Sequence, residues 1–265
     1  MGYNAAVLEI FPYLAACLVG AVIGSFLNVC IYRLPRHGSV VWPSSRCPSC
    51  GAPIALYDNL PIVSYLWLGG RCRACRARIS PRYPVIELAN AVGYGAMVWR
   101  FGVGWPAVAY ALLFSGLLVV TCTDLSHRIV PDVITLPGIG LGVIGSLTVL
   151  PIGPWDSILG VALGGGILWG LAWVSPYLFG KEGMGGGDIK LLAMIGSFLG
   201  WKPTLLALVV GALAGSILGL ALIAGKVLRR DQYIPFGPFL ALGAVLALFF
   251  HQEVFAWYAG LLGDP

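Results

Sequence analysis

The sequence predicts an all-α polytopic membrane protein of about eight transmembrane helices, with a small zinc-ribbon-like cytosolic insertion between the first two. Three observations predict it. Of the 265 residues 58% are apolar and only 10% charged, where an ordinary globular chain has about a quarter charged. Long charge-free stretches recur, beginning with residues 11–31, and about 20 apolar residues carry a helix across a bilayer. The one long polar segment, residues 33–83, holds two C-x-x-C pairs. The 37 glycines and 18 prolines suit closely packed membrane helices.

The first stretch lacks the positive n-region of a cleaved signal and is followed, not preceded, by Arg33 and Arg36, so it reads as a retained anchor. Further spans are expected at 85–101, 106–123, 133–152, 157–179, 189–201, 204–224 and 234–262, with Glu87 and Lys190 as early interruptions. The sixth is short for a bilayer and would rely on Lys190 and Lys202 reaching towards the two interfaces. With an external, periplasmic N-terminus, eight alternating spans put 14 of the 16 Lys and Arg on the cytosolic side, and only Arg100 and Lys202 opposite. Deleting the sixth span would move Lys226, Arg229 and Arg230 outside, against the positive-inside rule. The net charge of +5 is therefore a signature of membrane topology. The expected organisation is a first helix (1–32), a cytosolic metal-binding domain (33–83) and a seven-helix membrane domain (84–265).

Within the insertion, Cys47-Pro48-Ser49-Cys50 and Cys72-Arg73-Ala74-Cys75 are separated by 21 residues, close to zinc-ribbon spacing. Four thiolates from two tight turns complete the closed tetrahedral shell of a structural zinc site. Two disulfides are the competing reading, disfavoured by the reducing cytosol in which the charge pattern puts the segment. A metal staple also answers how about 50 residues with a meagre core fold at all. Eight arginines face a single acid, Asp58. That basic surface favours anionic lipid or an acidic partner over nucleic acid. Cys17, Cys30 and Cys122 lie in apolar spans and read as small buried side chains.

Carboxylates at the ends of spans are expensive and mark function by default. Asp124 ends the third span, where a helix C-terminus disfavours negative charge. Asp188 follows Gly185-Gly186-Gly187 and opens the sixth. An N-cap role alone would not require a glycine run, which lets another backbone approach closely and permits unusual dihedrals. Both acids fall at the cytosolic boundary, where two nearby carboxylates sharing one proton can divide acid and base work as in an aspartic protease. Lys190 lies two residues on and is placed to steady nearby charge. Asp132 and Asp156 open helices and read as partners of the helix dipole, Glu182 as a loop residue, and Glu87 with Asn90 as interhelical hydrogen-bonding groups. No G-x-S-x-G or H-E-x-x-H motif occurs, and His37, His127 and His251 are scattered, which disfavours serine and metal hydrolases. An ion-coupled transporter using the same acids is the alternative, and a zinc-bearing scaffold a third reading.

These motifs in this order resemble the type IV prepilin peptidases, membrane aspartic proteases of the G-x-G-D kind. The resemblance rests on residues 24–35 (GSFLNVCIYRLP), the paired cysteines, Asp58-Asn59-Leu60-Pro61, residues 79–84 through Glu87, Asp124, Pro131-Asp132, Gly185-Gly186-Gly187-Asp188 with Lys190, and residues 234–239 (IPFGPF). It implies that Asp124 and Asp188 are the catalytic pair. It implies cleavage of the basic leader of type IV prepilins or type II secretion pseudopilins after a Gly, in the bacterial inner membrane. It also implies N-methylation of the new terminus from S-adenosylmethionine, an activity tied to the cysteine-bearing insertion.

Overall fold

Each charge-free stretch must fold as a helix, because hydrocarbon offers no partner for backbone N–H and C=O groups and a helix pairs them within one segment. The computed structural model describes residues 3–180, 184–227, 229 and 234–261. Its helices are α1 (Tyr3–Arg33), α2 (Val63–Trp67), α3 (Arg82–Phe101), α4 (Trp105–His127), α5 (Asp132–Thr148), α6 (Pro154–Phe179), α7 (Gly186–Leu199), α8 (Trp201–Ala224) and α9 (Gly237–Leu261). Eight of these stand where the eight spans are expected, and α2 lies inside the insertion. Among the described residues β-pairing is limited to isolated bridges. Glu182, Arg230 and the last residue of the expected eighth span lie outside the described residues.

Five segments are long and apolar enough to cross a membrane: Glu9–Arg36, Trp105–His127, Pro154–Tyr177, Trp201–Ala224 and Gly237–Leu261. The protein is thus a multi-pass membrane protein, and Phe11, Leu18 and Val22 of α1 are exposed as lipid-facing side chains are. α5 has 17 residues and α7 only 14. At 1.5 Å per residue α7 is about 21 Å long, against about 30 Å of hydrocarbon.

The chain divides into two compact units, Met1–Val119 and Val120–Pro265. In the first, α1 packs along α3. The fully buried Asn90 donates to the Gly20 carbonyl at 2.7 Å and accepts from Ser115 of α4 at 3.0 Å, the interhelical role expected of it. Asn28 reaches the Tyr83 carbonyl at 3.2 Å, tying α1 to the start of α3. Of the three cysteines expected to be buried in spans, Cys30 is buried, while Cys17 and Cys122 are half-buried.

In the second unit α7 is the core helix. Every residue from Leu191 to Leu199 is buried, and α5, α6, α8 and α9 all pack against it. A helix apolar on all sides belongs in such an interior. Its contact with α6 is set by Gly160 and Gly196, which face each other so closely that a Cβ on either would overlap the other's backbone. Ser157 of α6 completes the join by donating to the Ser197 carbonyl at 2.7 Å. Gly196→Val should destabilise the protein by about 1–3 kcal/mol or more through overpacking. Gly166→Ala, where a Cβ meets nothing within 4 Å, should leave stability unchanged or raised. Thermal unfolding of both variants in detergent checks this, and equal melting temperatures would refute the packing argument.

Candidate active site and metal centre

Asp124 lies in the last turn of α4 and Asp188 in the first turn of α7. Each is only 4% exposed, and their charges lie within electrostatic reach of each other. The two acids singled out in the sequence are therefore both buried in the second unit, at the end of α4 and the start of α7.

They are held differently. The Asp124 Oδ2 accepts the Gly237 N–H at 3.0 Å, and Gly237 opens α9. The poor position of Asp124 at the C-terminus of its own helix is thus offset by the positive N-terminal end of another. Arg128, one turn on, adds a positive charge. A Cβ at Gly237 would lie 2.7 Å from the same carboxylate oxygen, so only glycine permits the approach. Sequence reasoning assigned Gly237 no role. Its signal was Gly-Pro opening a helix, which marks a helix start but not which acid it serves.

Asp188 does not cap its helix. Gly185 is the N-cap residue of α7, and no side chain caps it. None of Gly185, Gly186 and Gly187 takes a positive φ, so the run serves space rather than unusual dihedrals. Gly187 is pressed against Val130, where a Cβ would come within 2.7 Å of the valine Cβ, whereas at Gly186 a Cβ would meet nothing within 4 Å. Gly186 leaves open backbone beside the acid.

Lys190 turns out to be the partner of Asp132, its Nζ lying 2.8 Å from both carboxylate oxygens. Asp132 is in the first turn of α5 but makes no cap hydrogen bond, since Pro131 is the N-cap residue. The pair instead clamps the start of α5 to the start of α7. A sequence pattern shows a cation near Asp188 but not that a second acid already engages it. Asp156 sits in the first turn of α6 as a dipole partner.

In the insertion, Cys47, Cys50, Cys72 and Cys75 form a cluster whose Sγ atoms all lie within 4.8 Å of one another. A tetrahedral zinc at about 2.3 Å from each sulfur would separate them by about 3.8 Å, and the Cys47 and Cys75 sulfurs are 3.8 Å apart. The residues fit a metal ion. Each knuckle is built alike: the Cys47 N–H donates to the Ala52 carbonyl and the Cys72 N–H to that of Ala77, both at 2.9 Å. The residue after each second cysteine, Gly51 or Arg76, is left-handed. Backbone N–H groups of Cys50 and Ser49 point at the Cys47 thiol and pull it down to about 6, while its partner Cys50 is pushed up to about 11, so the first proton lost from this pair leaves from Cys47. Asp58 grips Arg73 of the second knuckle at 2.8 and 2.6 Å, which holds its carboxyl below the usual range.

Comparison with known proteins places this architecture. The bacterial Peptidase A24 N-terminal domain matches residues 18–101, and the type IV leader peptidase family matches residues 111–220, which include both acids. The chain belongs to the type IV leader peptidase family. The prepilin leader peptidase/N-methyltransferase of Pseudomonas aeruginosa is 37% identical, covering 94% of each chain. That of Aeromonas salmonicida is 38% identical over 91% of each, and that of Xanthomonas campestris pv. campestris 36% over 96% of each. No solved structure matches the chain. The ion-coupled transporter reading finds no support among these relatives of the leader peptidase.

A metal seated by the four cysteines has a direct test. Purified protein should carry about one zinc per chain, as one closed four-thiolate shell requires. Cys47→Ser or strong chelation should remove it and expose the insertion to limited proteolysis. Unchanged metal content in Cys47→Ser would overturn the assignment.

Proposed function

We propose that the chain is a bifunctional prepilin peptidase, cleaving the leader of type IV prepilins or type II secretion pseudopilins after Gly and then N-methylating the new terminus. The observation that carries the reading is the meeting of two buried carboxylates, Asp124 and Asp188, from helices far apart in sequence. Two enclosed acids brought within a few ångströms of each other share one proton, and that is the arrangement this reading assigns to them. The ionised partner takes a proton from water as it attacks the scissile carbonyl, and the protonated one donates to the carbonyl oxygen and then to the departing amine. As a coupled pair they exchange these roles through the cycle. Asp124 is oriented by the Gly237 N–H. Asp188 has no such anchor among the described residues, so its carboxyl can turn towards substrate. The bare backbone at Gly186 gives an extended substrate strand room beside it.

The enzyme is a bacterial inner-membrane protein with a periplasmic N-terminus and its active site at the cytosolic face. This orientation rests on the placement of 14 of the 16 Lys and Arg. A substrate with a basic leader outside the bilayer and an apolar helix within it brings its scissile bond to that boundary. Position selects the bond. Zinc held by Cys47, Cys50, Cys72 and Cys75 acts as a structural staple of the insertion. S-adenosylmethionine, when bound, supplies an electrophilic methyl group for the new N-terminal amine.

Asp124→Asn and Asp188→Asn should each lower cleavage of a prepilin in detergent by about 10³-fold or more, within the range for loss of an acid–base group, with zinc content unchanged. Cleavage retained by either variant at normal expression would sink the mechanism. Gly237→Ala should cost about tenfold or more, because a Cβ there displaces a charge-orienting hydrogen bond. Full activity of that variant would show that the Asp124 anchor is dispensable.

A further inference from the structure

We propose that the cavity of about 440 Å³ between the end of α1 and the insertion holds one anionic phospholipid of the bilayer, its phosphate on Arg33 and an acyl chain along α1. Only the crossing of the membrane by α1 is needed. The catalytic reading above can fail without affecting this site.

The position of the cavity names its occupant. Along α1 the residues Leu14, Leu18, Val22 and Phe26 recur every four positions and are all exposed, which makes one apolar stripe facing hydrocarbon. Val22 and Phe26 also line the cavity, with Val29 and Arg33 beyond them on the same face. The stripe therefore runs into the cavity without a break, and an acyl chain lying against Leu14 and Leu18 continues inward. From Val22 to Arg33 the helix rises about 16 Å at 1.5 Å per residue, close to one leaflet of a hydrocarbon core about 30 Å thick. A wall one leaflet deep with a cation at its end matches a phospholipid. The facing wall belongs to the insertion and mixes Val40, Val41 and Leu60 with Ser44, Ser45 and Asn59.

Charge decides the class of lipid. Arg33 is the one charged residue of the lining, and no acid lines the cavity among the described residues. The acids close to it in the fold are engaged elsewhere: Arg73 grips Asp58, and Glu87 accepts the Ile62 N–H at 2.7 Å. An ethanolamine headgroup would bring an ammonium that nothing there receives. A glycerol headgroup leaves the phosphate as the only charge and finds matching hydroxyls in Ser44 and Ser45. A basic peptide would meet like charge.

Arg33 is held ready for an anion. It donates to the Ser39 and Pro43 carbonyls at 2.8 and 2.7 Å, which fixes the guanidinium without neutralising it and leaves further N–H groups for phosphate oxygens. Arg36, stacked 4.3 Å over the Tyr32 ring, adds a second cation at the same helix end, and such basic clusters attract anionic headgroups. Val41 and Trp42 stand exposed side by side on the insertion. They are out of place in water, whereas a tryptophan at headgroup level is an ordinary anchor. The second cavity of the first unit, about 490 Å³, is walled by residues such as Val19, Val98 and Leu112, and Tyr94 alone brings a polar side chain. It offers a headgroup nothing. Bound in the first cavity, a lipid would join the metal-bearing insertion to α1 where protein contacts leave a gap.

The full chain in mild detergent is titrated with phosphatidylglycerol or phosphatidylethanolamine of identical chains, and one-to-one adducts are followed by native mass spectrometry. Phosphatidylglycerol should bind about tenfold more tightly or better, the scale of a charge-assisted hydrogen bond. Arg33→Gln removes the cation, and Ser44→Glu sets an acid at an exposed position of the same lining. Each should erase the preference with helix content by circular dichroism unchanged. Should Arg33→Gln loosen the insertion, Ser44→Glu still decides. Phosphatidylglycerol with a photoreactive acyl chain should cross-link within residues 22–33, and glycerol phosphate at the same concentration should not displace it, because the chain supplies much of the contact. Equal binding of the two lipids by the parental protein, parental preference in Ser44→Glu, cross-links confined to other helices, or displacement by glycerol phosphate would each overturn the site.

Discussion

The hydrogen bond from the Gly237 N–H to Asp124 is the constraint on which the second unit depends. A carboxylate 4% exposed at the wrong end of its own helix is tolerated only if something else meets its charge. The start of α9 does so, and two consequences follow. Position 237 must be glycine, because a side chain there would occupy the acceptor's place. The α9 N-terminus must also stay against the α4 C-terminus, because parting the two would leave a buried charge unpaired.

The Asp132 and Lys190 pair does the complementary work nearer the surface. Its groups are 55% and 38% exposed, so it adds little to stability. Its value is positional. Lys190 lies two residues beyond Asp188, and a free ammonium there would compete for that carboxylate. Held by both oxygens of Asp132, it neutralises a charge that is already in solvent and ties the start of α5 to the start of α7. In the first unit Glu87 plays a comparable part. Its carboxylate accepts the Ile62 N–H at 2.7 Å and so holds the turn at Ile62, whose φ is +62°.

The helical architecture and the clustering of the four cysteines were legible in the sequence for simple reasons. Charge-free runs of about 20 residues have few alternatives to membrane helices, and two C-x-x-C turns with ribbon spacing carry their own local geometry. Asp124 and Asp188 were legible because each sat badly, one at a helix C-terminus and one behind glycines that a cap would not need. Their surroundings were not. The anchor at Gly237 is contributed from 113 residues away, and no local pattern announces which acid a Gly-Pro helix start will face. Asp132 read as a dipole partner because its position at the head of α5 was sufficient explanation, and its engagement with Lys190 arises only when two helix starts are brought side by side. The sixth span read as a marginal crossing, whereas α7 is the helix around which the second unit packs. Hydropathy along a chain does not distinguish lipid from protein as apolar surroundings.

The shortness of α7 bears directly on how hydrolysis could occur at a membrane. A 14-residue helix falls about 9 Å short of the hydrocarbon thickness. Lipid cannot simply close over the shortfall, since non-helical backbone at membrane depth is tolerated only inside protein or beside water, and the other accommodation is a locally thinned bilayer. Either arrangement brings water closer to the end of α7 than a full-length span would allow. The backbone before Asp188 is extended at Gly185, and the neighbouring Lys190 and Asp132 are already solvated. The buried Asp188 thus lies two residues from a half-exposed ion pair, in low-dielectric surroundings yet near solvent. A longer sixth helix, apolar to its end, would carry Asp188 and the ion pair beside it farther from water.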